Sequence, residues 1–127
     1  METEKIHDLE DRLVVFAFRI ATLVESLPTN ISTRHIAGQL IRSGISPALN
    51  YGEAKSAESS NDFIHKMKIA LKELRESYIS LKILNHMKIQ EQKELLGICL
   101  QECNELISIF VRSIHTAERN RNMRRRN

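Results

Sequence analysis

Residues Gln39–Leu84 read QLIRSGISPALNYGEAKSAESSNDFIHKMKIALKELRESYISLKIL. Two helical patterns meet here across a polar corner at Lys55–Asn61. Ser59, Ser60 or Asn61 can accept a hydrogen bond from the free N–H groups of a first helical turn. Asp62 then places a negative charge at the positive end of that helix dipole. After it Phe63, Met67, Ala70, Leu74, Tyr78 and Leu81 recur every three or four residues, one face of an amphipathic helix. Before the corner, Leu40, Ile41, Ile45, Ala48 and Leu49 mark a second apolar stripe. Pro47 lies inside it and predicts a kink near Ser43–Gly44 rather than a break.

A polar stripe of Gln39, Arg42 or Ser43, Ser46, Asn50 and Glu53 runs beside the apolar one. Glu73 and Glu76 of the next helix can reach that face. The stripe suits either a ligand or nucleic-acid groove, or a hydrogen-bonded seam that fixes helix register or a subunit contact. The seam reading predicts that Arg42, Asn50, Glu53 and Glu73 are at least partly buried and hydrogen-bonded to one another, within a subunit or across an interface.

Working outward, a first helix is expected from about His7 to Leu27. Its main stripe is Leu9, Leu13, Phe16, Ile20, Leu23 and Leu27. Val14 or Val15, Phe18 and Ala21 add a second stripe. A helix in a bundle needs one apolar face, so the surplus marks either a broad, deeply buried helix or a subunit interface. Pro28 ends the pattern by biasing Leu27 away from helical geometry. A second helix starts near Asn30 or Ser32 and runs to about Lys55; a third runs from the corner to about His86. A polar turn, Lys88–Lys93, leads to a fourth. There Leu95 or Leu96, Cys99, Cys103, Leu106, Phe110 and Ser113 or Ile114 make the stripe, which fades by about Arg119. Four long helices with short connections predict an all-α fold, an up-down-up-down antiparallel four-helix bundle over residues 1–118. Residues 119–127 carry no apolar anchor and are expected to form a basic, disordered tail.

The chain has 127 residues, room for one core without disulfides or metal. With only 4 glycines and 2 prolines, and Leu, Ile, Ala, Glu, Lys and Arg dominant, its composition favours helices over sheets. The net charge is +3, but Arg119, Arg121, Arg124, Arg125 and Arg126 crowd the C-terminal end with no acid among them. Removing those five charges from +3 leaves −2 for residues 1–118, so a near-neutral body carries a basic end. Cys99 and Cys103 lie four apart on one predicted helix, where disulfide geometry is rare. They read as small core residues in a reducing compartment. No signal core and no bilayer-spanning apolar run appear, so the expectation is a cytoplasmic protein with no membrane contact.

Catalytic chemistry finds no motif. His7, His35, His65, His86 and His115 are scattered, and no second ligand stands at metal spacing. No enzyme activity, cofactor or metal is expected. Positive charge is the stronger signal. His65, Lys68, Lys72, Arg75 and Lys82 share one side of the third helix, either a phosphate track or a solvated face balanced by glutamates. The end RNRNMRRRN is unopposed, and arginine suits phosphate contact and base stacking. It reads as an RNA- or DNA-binding element or as a solubility tail.

Gln39-Leu40, Arg42-Ser43, Asn50, Glu53, Asp62-Phe63 and Ile69-Ala70-Leu71 with Glu73 together resemble the pattern of the four-helix bundle proteins encoded in intervening sequences of bacterial 23S ribosomal RNA genes. The match covers about a third of the chain and extends weakly to Phe18 and Arg19. The resemblance implies an antiparallel bundle assembled into a ring, typically a homopentamer. That family is similar in turn to the accessory variability determinant proteins of retroelements, pentameric bundles whose basic surface binds a reverse transcriptase and nucleic acid. No biochemical activity comes with the resemblance. The partners expected are therefore further copies of this chain, and either RNA or DNA or a protein that uses the bundle as an adaptor.

Overall fold

The computed structural model describes residues 8–126. The expected helix start at His7 and the last tail residue, Asn127, lie outside them. Four helices follow one another: α1 (Asp8–Glu25), α2 (Ile31–Lys55), α3 (Ser60–His86) and α4 (Lys93–Arg126). Their close neighbours are α1–α2, α2–α3, α3–α4 and α4–α1, the cycle of an up-down-up-down antiparallel bundle. Antiparallel register shows in the cross-links. Lys55 of α2 pairs with Glu10 of α1, and Lys66 of α3 pairs with Glu53 of α2.

Local chemistry sets the helix ends. The Asn30 side chain caps α2 by accepting from the Thr33 N–H, and the Thr33 hydroxyl accepts from the Asn30 N–H. This reciprocal box satisfies two donors that the first turn leaves free. The Thr33 hydroxyl also donates to the Pro28 carbonyl, tying the α1–α2 loop to the helix it precedes. Ser59 caps α3, its hydroxyl accepting from the Asp62 N–H at 3.1 Å. At the α3–α4 turn Lys88 and Gln92 adopt left-handed backbone angles, φ 54° and 58°. Such angles cost a residue with a Cβ about 1–2 kcal/mol.

The core is built from the predicted stripes of three helices. Leu13, Phe16, Ile20 and Leu23 of α1 are buried, as are Met67, Ala70, Leu74 and Leu81 of α3. In α4 the buried residues are Leu96, Cys99, Cys103, Leu106, Phe110 and Ile114. The Tyr51 ring meets Phe110 edge-on across the bundle, with centroids 6.1 Å apart.

Helix α2 departs from its expected stripe. Leu40 is buried, but Ile45 and Leu49 are exposed, while Ser43, Gly44, Pro47 and Ala54 face the core. The cause is close packing. A Cβ on Gly44 would stand 2.8 Å from Ile20 Cγ2, so this turn of α2 lies against α1 with no room for a larger side chain. Pro47 sits on the same buried side, inside a helix that continues to Lys55. Small residues take the inner face, and the large apolar ones are displaced outward.

Helix α4 also differs from expectation. It does not end where its apolar stripe fades, at Arg119, but continues to Arg126. Arginine is a strong helix former, and three arginines in the last turn complement the negative end of the dipole. The extension lies against the α2–α3 corner, where Ala117, Asn120 and Arg124 share a cleft with Phe63.

Candidate nucleic-acid interface

The basic end of α4 carries its arginines on two sides. Arg121, Arg124 and Arg125 line a cleft of about 270 Å³ with Ser59, Ser60 and Asn61 at the start of α3. Arg119 and Arg126 lie on another side, in a cleft of about 480 Å³ that also touches His115 and Glu118. Both Arg121 Nη1, at 3.1 Å, and Arg125 Nη2, at 3.2 Å, donate to the Asn61 side-chain oxygen. Among the described residues none of the five arginines has a carboxylate within ion-pair distance. Glu118 feels the charge of Arg121 but is bound by Lys68, so among the described residues the five guanidinium groups hold no acid directly, the condition under which guanidinium groups contact phosphate.

The cations of α3 divide. Lys68 forms an ion pair with Glu118 at 2.9 Å, and that hydrogen bond holds the Glu118 carboxyl below its ordinary range. Lys72 and Arg75 are exposed and make no ion pair among the described residues. They flank Leu71 and Ile79 on a mixed basic and apolar surface.

Within the single chain the polar stripe of α2 pairs with α3 in two separate places. Arg42 bridges two acids of α3, Glu73 at 2.5 Å and Glu76 at 2.7 Å. The hydrogen bond to Glu76 and the charge of Glu73 raise the Arg42 pKa above its ordinary value. Glu73 is well covered, but the Arg42 side chain is 52% exposed. Glu53 turns instead to Lys66, and Asn50 is half-buried with no hydrogen bond found among the described residues. Of the four, Arg42 and Glu73 meet within the chain, while Glu53 is held by Lys66 of the same α3.

Ser77 was missed in the sequence. Its hydroxyl donates to Ser43 Oγ at 2.8 Å in the buried α2–α3 contact. A serine among leucines carries no signal of its own, and this pair needed the register of both helices. Arg12 was missed as well: it reaches across to Glu102 and Glu105, closing the α1–α4 side of the bundle.

The two cysteines are core residues. The Cys103 thiol donates to the Leu74 carbonyl at 3.2 Å. Burial pushes Cys99 up to about 11, and burial with the adjacent Cys99 and Glu102 pushes Cys103 up to about 12. Both are held as neutral thiols, the form that is a poor nucleophile and metal ligand. No group of three or more His, Cys, Asp or Glu among the described residues is arranged to hold a metal ion. Among the described residues no helix is long and apolar enough to cross a membrane.

Comparison with curated proteins finds no match. Among solved structures the chain is similar to a protein of unknown function from the S23 ribosomal protein family of Bacteroides thetaiotaomicron. The two share 29% identity with a TM-score of 0.72, over 84% of this chain and 97% of that one. The 23S rRNA-intervening sequence protein family matches residues 11–112, which contain the α2–α3 corner and every buried residue except Ile114. The five arginines follow that segment. With four helices in this order and the match running through all of them, the chain belongs to the 23S rRNA-intervening sequence protein family.

Proposed function

We propose that this protein is a non-enzymatic helical bundle that assembles with copies of itself and binds RNA through the basic end of α4. The observation that carries the binding role is the set of five arginines on one helix with no carboxylate at ion-pair distance among the described residues. Lys72 and Arg75 extend the basic surface along α3. Self-assembly is supported by the outer face of α1 and α2. Phe18 is 71% exposed and Leu49 64%, with Val14, Val15 and Ile45 exposed beside them. The resemblance noted above implies five copies in a closed ring. In such a ring several basic ends engage one RNA at high local concentration.

The test is the chain ending at Glu118. Its loss of buried surface is small, since residues 119–126 are exposed apart from a half-buried Arg121. Its stability should therefore match that of the full chain. Each contact to single-stranded nucleic acid gives about −0.7 in the slope of log affinity against log salt. If all five arginines bind, truncation flattens the slope by roughly 3.5 units. A folded truncated chain with the full-length affinity and slope would remove the arginines from the interface.

The outer apolar face favours a second reading, an adaptor that holds a protein partner and no nucleic acid. Absence of RNA binding by the full-length chain across the salt series would select it.

A further inference from the structure

The α4 arginines are not an arm waiting to fold on its ligand. We infer that Asn61 gathers Arg121 and Arg125 into a preformed seat for one phosphate group. This rests on the reading of α4 as the nucleic-acid contact and names where on it a phosphate sits.

Arg121 and Arg125 stand four residues apart, so one α4 face carries both. Like charges at that spacing repel and destabilise an isolated helix. Here the two guanidinium groups are drawn to a single oxygen, the Asn61 carboxamide, at 3.1 and 3.2 Å. A neutral amide orients them but cancels neither charge. Arg124 adds a third guanidinium to the same cleft. The corner's own acids, Glu58 and Asp62, form no ion pair with any of the three, and Glu118, which feels the charge of Arg121, is bound by Lys68. The Arg121 Nε is shielded from water and has no hydrogen-bond partner among the described residues, so this guanidinium meets a ligand through its terminal nitrogens. Three guanidinium groups lining one cleft, two of them gathered by a neutral positioning group, match a phosphate, whose oxygens accept from guanidinium N–H pairs. Asn61 touches the arginines and not the ligand, which makes it a positioning residue.

The phosphate can come from a nucleic-acid backbone or from a free ion, and two probes separate these. One is a single-stranded oligouridylate measured over a salt series; the other is inorganic phosphate. Asn61 is exposed and does not cap α3, a role held by Ser59, so its variants should keep the native melting temperature. Asn61→Ala keeps every cation. It should weaken oligonucleotide binding roughly 3- to 10-fold, the scale of one ordinary hydrogen bond, with the salt slope unchanged. Asn61→Asp should weaken it further, because a carboxylate there competes with the phosphate.

If Arg121→Gln and Arg125→Gln lose affinity while both Asn61 variants bind like the wild type, the seat is overturned and the binding role of α4 stands. Saturable binding of inorganic phosphate without oligonucleotide binding, lost in Arg121→Gln, would support the seat and overturn the nucleic-acid reading. Binding of neither probe would overturn both.

Discussion

At the scale of single residues, the bundle keeps few polar groups inside, and each has a task. The Ser77–Ser43 hydrogen bond is buried between α2 and α3. Ser77→Ala should cost about 1–3 kcal/mol, because it strands the Ser43 hydroxyl away from water. The double variant Ser43→Ala/Ser77→Ala should recover part of that loss in a denaturant titration. The thiols set a second expectation. In the folded chain Cys99 and Cys103 are raised from 9.0 to about 11 and about 12. Unfolded thiols ionise near the ordinary value and folded ones do not. Their contribution to stability is therefore complete below pH 9 and is lost as pH rises through about 11 to 12. Chemical denaturation across that range should show the decline, and Cys99→Ala/Cys103→Ala should flatten it.

At the scale of the helix, α2 shows why sequence reading works for some elements and fails for others. The stripes of α1, α3 and α4 were legible because leucines, isoleucines and phenylalanines recur at helical spacing on one side. In α2 the side that meets α1 must be thin. Gly44 occupies it, Ser43 beside it turns to Ser77 of α3, and Ile45 and Leu49 look like core while being exposed. Periodicity counts apolar residues; it does not see how near the next helix lies. The site divides in the same way. The arginine run was visible as charge. Its contact with Asn61 depends on which turn of α4 lies beside the start of α3, which no local pattern encodes. The glycines of α2 test the packing argument. Gly44→Ala should destabilise the chain by about 1–3 kcal/mol through crowding against Ile20. Gly38 and Gly52 have open space where a Cβ would go. Alanine at either should raise the stability of a single chain by about 1 kcal/mol through helix propensity alone. Thermal melts of the three variants should show opposite signs.

At the scale of the whole molecule, α1 and α2 together leave one side of the bundle unfinished. The Glu10–Lys55 pair and the Ile20–Gly44 approach fix their register. That register sets Phe18 and Val15 level with the turns of α2 that carry Ile45 and Leu49. All four side chains are exposed in the single chain. Light scattering of the wild type should report an oligomer, and Phe18→Ser/Leu49→Ser should report single, folded chains. A wild type that stays single at micromolar concentration would remove self-assembly from the proposal. The α4 extension has its own consequence. All five of its arginines are cleavage points for a trypsin-like protease, which must unwind a helix locally before it can cut. Digestion at Arg121 then proceeds only as often as the last turns of α4 lift away from Asn61. The rate at which this end is clipped becomes a clock for undocking, and a bound anion should slow that clock.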